Sequence, residues 1–131
     1  MNKSEQINEI GKALVAFQTD VKDPSRDANN PFFKSKYVTL DNLLQAVRPL
    51  LAKHGLSFVQ SPSGDGEKIS ITTLLIHESG QWIEGEPLLL KAAKADPQGA
   101  GSAVTYGRRY SLSSVLGVAL GFIVTGKHIY F

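Results

Sequence analysis

Hydrophobic periodicity changes character at Gly55, and that change limits the folds open to this chain. Before it, Leu40, Leu43, Leu44, Val47, Leu50, Leu51 and His54 share one face of a helix of about four turns. Thr39 is placed to cap that helix, and Asp41 sits in its first turn, where a negative charge suits the positive end of the helix. After Gly55, LSFVQS, EKISITTLLIH and QWIEGEPLLLK read as three strands, and the turns SPSGDG and ESG between them favour hairpins. Ile69, Ile71 and Thr73 alternate with Ser70, Thr72 and Leu74, so one face of the sheet is the more polar. A second helix is expected over Gly99–Gly117, entered through glycines. Helix, three strands, helix predicts an α+β fold, with helices packed on one face of a small antiparallel three-stranded sheet. The other face is left for solvent or a partner.

The 131 residues, 42% hydrophobic and 20% charged, suit a single domain that buries its core without staples. Residues 1–20 are expected to form an N-terminal helix, with Ser4 as cap and Ile7, Ile10, Leu14 and Phe17 as its apolar stripe. Residues 21–38 read as a basic and aromatic loop, 39–118 as the helix–sheet–helix core, and 119–131 as an apolar tail of no readable role. Pro49 falls inside the leucine-rich helix and predicts a kink or break on its wet side, and Gly55 is placed to close it. Cysteine is absent, which excludes disulfides and thiolate metal sites. The polar start MNKSEQINEIGK lacks an apolar signal core and no apolar run is long enough for a bilayer, so a cytoplasmic protein without membrane contact is expected.

A net charge of +2 argues for no particular partner, but the charges are segregated. Lys91, Lys94, Arg108 and Arg109 face only Asp96 within residues 91–110, while Glu5, Glu9, Asp65, Glu67, Glu78, Glu84 and Glu86 lie elsewhere. On the second helix Tyr106, Arg108, Arg109 and Tyr110 crowd five positions. Adjacent arginines flanked by tyrosines suit a surface that holds phosphates and stacks bases. They also fit a blander arrangement, in which the tyrosines join the core and the arginines reach past them to water. Ala100, Ala103, Gly107 and Ser114 make a stripe of small side chains along which the helix can approach a sheet or another subunit closely. In the loop before the first core helix, Lys34, Lys36 and Tyr37 follow Phe32 and Phe33. That mixture suits single strands, and equally suits a loop pinned to the core by its aromatics.

Residues for bond-making chemistry are few. His77-Glu78 has no second ligand at metal spacing, and His54 lies on an apolar helical face. PQGAGSAVTYG places glycines ahead of a helix, but it lacks the lysine and hydroxyl pair of a nucleotide-binding loop. Neither an ATP site, a metal, a cofactor nor a catalytic constellation is expected, and the chain reads as a binding protein rather than an enzyme.

Two segments carry a resemblance. NPFFKSKYVTLDNLLQAVRPLLAKHGL, followed some fifty residues on by GAGSAVTYGRRYSLSSVLGV, resembles the Erf family, the essential recombination function proteins of phages and prophages. The resemblance covers about residues 5–118 and takes in the intervening strand segment ITTLLIHESGQWIEGE. It implies ATP-independent binding of single-stranded DNA, annealing of complementary strands during recombination, and assembly into rings or filaments. It also implies a β-β-β-α core and phage or host recombination proteins as possible partners. In the family's ring-forming relatives a basic pair on the helix after the sheet faces the DNA backbone, and the matching positions here are Arg108 and Arg109. Lys91, Lys94, Lys34, Lys36, Tyr37, Tyr106 and Tyr110 complete the expected DNA-binding set. The chain departs from the family pattern after Val118: ALGFIVTGKHIYF carries no acid where the pattern has an acidic run. Competing readings are a single-strand protecting module for DNA or RNA that does not anneal, and a scaffold that only self-assembles.

Overall fold

The computed structural model describes residues 1–21, 38–65 and 67–119, with two short backbone segments at 124–125 and 128–129. In chain order the elements are β1 (Asn2–Lys3), α1 (Asn8–Asp20), α2 (Leu40–Lys53), β2 (Leu56–Gly64), β3 (Lys68–His77), β4 (Trp82–Glu84), β5 (Leu88–Lys91) and α3 (Pro97–Leu116). Val124–Thr125 (β6) and His128–Ile129 (β7) pair with each other alone. The architecture is α+β, with an antiparallel sheet of five strands rather than the three expected.

Strand β3 is the centre of that sheet. It pairs along its whole length with β2, and on its other side with two short strands in succession. Leu74–Ile76 pair with β4, and Lys68–Ile71 pair with β5. The single third strand expected from QWIEGEPLLLK is therefore divided, and Gly85–Glu86–Pro87 is where it divides. Pro87 has no N–H to give to a ladder. The Gly85 N–H donates to the Thr73 carbonyl at 2.9 Å, which holds the bend against β3. The fifth strand, β1, is added at the outer edge of β4.

The alternation read in β3 is observed. Ile69, Ile71, Thr73, Leu75 and His77 are buried toward the helices, and the residues between them are half-exposed. Helix α2 starts where Thr39 accepts a hydrogen bond from the Asn42 N–H at 3.1 Å. It continues through Pro49 without a break, because the proline lies on the exposed side, where water can serve the carbonyl left unpaired. Gly55 closes it with φ of +69°, and Gly117 closes α3 with φ of +72°.

One expectation about α1 is corrected. Ser4 does not cap it; its hydroxyl accepts from the Trp82 N–H at 3.0 Å. The cap comes instead from the β3–β4 turn. The Gln81 side-chain oxygen accepts from the N–H groups of Glu9 at 2.8 Å and Ile10 at 2.9 Å. That arrangement ties α1 to the sheet while satisfying two of its free donors.

Two cores hold the helices to the sheet. The larger unites α1, α2 and the C-terminal half of α3 over β2 and β3, through Ile10, Phe17, Leu43, Leu51, Leu75, Leu112 and Leu116, all nearly or fully buried. The smaller consists of Ile69, Ile71, Ala92 and Ala103 beneath the N-terminal half of α3. There the helix rides close to the strands, as its small-residue stripe implied. A Cβ on Gly107 would stand 2.6 Å from Ile71 Cγ1 and 2.8 Å from Leu90 Cδ1. Ser114, the last residue of that stripe, is exposed. Among the described residues no helix is long and apolar enough to cross a membrane.

Candidate nucleic-acid interface

Helix α3 begins at Pro97, ahead of the glycines that were expected to lead into it. Asp96 caps it, its carboxylate accepting from the Gly99 N–H at 2.6 Å, and Pro97 fills the first helical position, where no N–H is needed. Gly99 lies in the first turn, and any Cβ there would collide with the Lys94 carbonyl oxygen. The β5–α3 connection can therefore fold back tightly, which carries Lys91 and Lys94 alongside the helix they precede.

The result is an open groove on one flank of α3. A concavity of about 570 Å³ is lined by Lys91, Lys94, Gln98 and Tyr106, with Leu90 and Ala103 at its floor. It adjoins a shallower depression of about 650 Å³ formed by Gln98, Ser102, Thr105, Tyr106 and Arg109. Gln98, Ser102 and Tyr106 belong to both. Among the described residues no carboxylate lines either one. Both lysines are exposed, and neither forms an ion pair among the described residues. The potential over this flank is set by unneutralised ammonium groups.

Arg109 supports the groove from behind. Its residue is only 9% exposed, and its guanidinium carbon lies 5.6 Å from the Tyr106 ring centre and 5.2 Å from that of Tyr110. The two rings are 4.4 Å apart and tilted by 38°. At these distances the cation is attracted to both ring faces. Tyr110 packs against the larger core, and burial, with the neighbouring Tyr106 phenol, holds its hydroxyl above the ordinary pKa of 10.0 while Arg109 opposes that shift. Tyr106 is 47% exposed and presents its ring to the groove. The aromatic cluster thus divides between the two readings open at the level of sequence: Tyr110 joins the core, Tyr106 stays at the surface, and the cation lies beside the pair, within reach of both rings.

Arg108 points elsewhere. Successive helix positions are turned by about 100°, so neighbouring residues do not share a face. Its Nε–H donates to the Gln60 side-chain oxygen at 3.1 Å. The Gln60 amide nitrogen donates back to the Arg108 carbonyl and to the Thr73 hydroxyl, each at 3.0 Å. Arg108 is thereby fixed over β2, on the flank of α3 opposite Lys91 and Lys94. It shares a concavity of about 390 Å³ with Arg48 of α2, a residue that no sequence motif singles out. Lys34, Lys36 and Tyr37 lie outside the described residues.

Histidines and carboxylates do not gather. His77 bonds Ser79 at 2.8 Å, His54 bonds Asp20 at 2.8 Å, and among the described residues no three potential metal ligands converge. The groove offers charge, one aromatic face and hydrogen-bonding side chains, which are the means of holding a polyanion. No curated protein and no solved structure matches the chain. A family model described as the ERF superfamily matches residues 10–120, a span that takes in α2, strands β2 to β5 and all of α3, and the chain belongs to that superfamily.

Proposed function

We propose that this protein binds single-stranded DNA without ATP and anneals complementary strands in phage-type homologous recombination. Membership of the ERF superfamily supports the recombination role at the level of the family. The finer reading rests on one observation: among the described residues, two lysines without an ion pair and an exposed tyrosine share a groove that no carboxylate lines. Lys91 and Lys94 neutralise neighbouring phosphates as point charges. Tyr106 offers one ring face on which any base can stack, and Arg109 adds positive potential beneath it. Contacts of this kind carry no sequence preference. Bases that are not read remain available to an incoming complementary strand. In this reading Lys34, Lys36 and Tyr37 extend the same surface, Tyr110 holds the cluster in place, and rings or filaments of the chain line up successive grooves along one strand.

Fluorescence anisotropy with a labelled oligonucleotide tests the reading. On single strands the log of the binding constant falls with the log of salt by about 0.7 per phosphate contact. Replacing Lys91 and Lys94 together by alanine should lower that slope by about 1.4. Tyr106→Ala should cost about 1–3 kcal/mol of affinity with the slope intact. Mixed complementary oligonucleotides should pair faster with protein and without ATP. Unchanged affinity and slope in the double lysine variant would remove the groove from the site, and slowed pairing would mark a protecting protein rather than an annealer.

A further inference from the structure

A second cationic surface lies across α3 from the lysine groove. The concavity of about 390 Å³ between α2, β2 and α3 is lined by Arg48, Arg108, Gln60, Ser57, Phe58 and Leu51, with no carboxylate among the described residues that line it. Two guanidinium groups in one hollow repel each other, and neither forms an ion pair among the described residues. The hollow is nonetheless organised. Gln60 holds the Nε–H of Arg108 and is itself tied to the buried hydroxyl of Thr73 on the central strand. The terminal nitrogens of Arg108 make no hydrogen bond within the described structure, and Arg108 lines the hollow together with Arg48 of the neighbouring helix. A rigid fork of N–H donors beside a second, exposed guanidinium matches an oxyanion with several acceptor oxygens, above all a phosphate.

We infer that the Arg48–Arg108 hollow binds a backbone phosphate of the nucleic-acid strand, as a contact separate from the lysine groove. The inference takes its ligand from the single-strand reading above and the backbone role of Arg108 from the family resemblance; what it adds is Arg48 and a hollow apart from the lysine groove. The two surfaces flank one helix, on the order of 10–12 Å across with its side chains, so they contact different phosphates. Gln60 is a positioning residue here: it touches no ligand and fixes the direction of the Arg108 fork.

Arg48 is the side chain to vary, since it is exposed and removing it leaves the Arg108–Gln60–Thr73 network whole. Arg48→Ala should weaken binding of a labelled single-stranded oligonucleotide by about tenfold, the loss of one charge-assisted hydrogen-bonded contact. It should lower the salt slope by about 0.7 and leave the thermal midpoint where it was. Arg48→Lys should restore the slope but only part of the affinity, because an ammonium cannot match the planar fork. Unchanged affinity and slope in Arg48→Ala overturns the inference. If the double lysine variant loses binding while Arg48→Ala does not, the hollow is excluded and the proposed function stands. If the reverse holds, the lysine groove falls and the hollow survives. A titration with inorganic phosphate separates the remaining source: Arg48→Ala that loses phosphate binding yet holds the oligonucleotide as wild type does would assign the hollow to the free ion and overturn the strand contact.

Discussion

The two halves of α3 are built differently. The C-terminal half sinks Leu112 and Leu116 into the larger core, where three helices meet the sheet and fourteen of the described residues are buried together. The N-terminal half rests, among the described residues, on Ile69, Ile71, Ala92 and Ala103, and comes close to β3 and β5 only because Gly107 has no side chain. The first half is held by buried volume, the second by the absence of volume. The lysines of the proposed binding groove run alongside the second, which also carries Tyr106. A surface that must present Lys91, Lys94 and Tyr106 to a ligand cannot also bury large apolar side chains, so the site stands where the core is thinnest. Stability and binding should therefore respond to different positions on a single helix.

The largest stability effect belongs to the deep half. Leu112 is fully buried, and Leu112→Ala should cost about 2–5 kcal/mol in chemical denaturation, from lost transfer energy and the cavity left behind. Well below the lowered midpoint, the folded fraction should bind oligonucleotide with wild-type affinity, since Lys91, Lys94 and Tyr106 are not among the residues of that core. A loss of affinity in proportion to the loss of stability would break the distinction between the halves.

Gly107→Ala probes the shallow half with a smaller change. The added methyl would meet Ile71 and Leu90 at 2.6 and 2.8 Å, and crowding of this kind costs about 1–3 kcal/mol. Alanine is the better helix former by about 1 kcal/mol, so the net destabilisation should be of the order of 1 kcal/mol. Binding should suffer more than stability does, because the methyl lifts the helix that carries Tyr106 away from the strand that carries Lys91. An unaltered salt slope in this variant would mean that close packing under Gly107 does not set the groove.

What could be read in the residues follows the range of the interactions involved. The apolar stripes of α1 and α2, the Thr39 cap, the closing role of Gly55 and the alternation in β3 all depend on neighbours a few positions apart. Each is observed in the structure, except that the α1 stripe begins at Ile10: Ile7 precedes the helix and is exposed. The division of the third strand also had a local signal in Gly85 and Pro87, which the continuous apolar run around them outweighed. Other features have no local signal. Gln81 caps α1 from seventy-two positions away, which left Ser4 as the only visible candidate. The divergence of Arg108 from Arg109 follows from helix geometry, but which flank each would face was decided by Gln60 on β2 and by two tyrosine rings. Arg48 enters beside Arg108 only because α2 folds back across β2.

The deep half has a surface tie whose removal should matter least. At the C-terminal ends of α1 and α2, Asp20 accepts hydrogen bonds from Lys53 Nζ at 3.0 Å and pairs with His54 Nε2 at 2.8 Å. Lys53 first, then His54, holds the Asp20 carboxyl below its usual value of 3.8. A carboxylate with a depressed folded pKa contributes stability above its unfolded pKa, and loses it as pH falls through the lower folded value. The thermal midpoints of wild type and Asp20→Asn should thus differ above about pH 5 and converge in stronger acid. The gap should be small and should shrink further in salt, because the pair is open to solvent. A gap that persisted unchanged into strong acid would show that Asp20 acts through packing rather than charge. It would also mean that the deep half of the molecule depends on its surface more than the buried leucines imply.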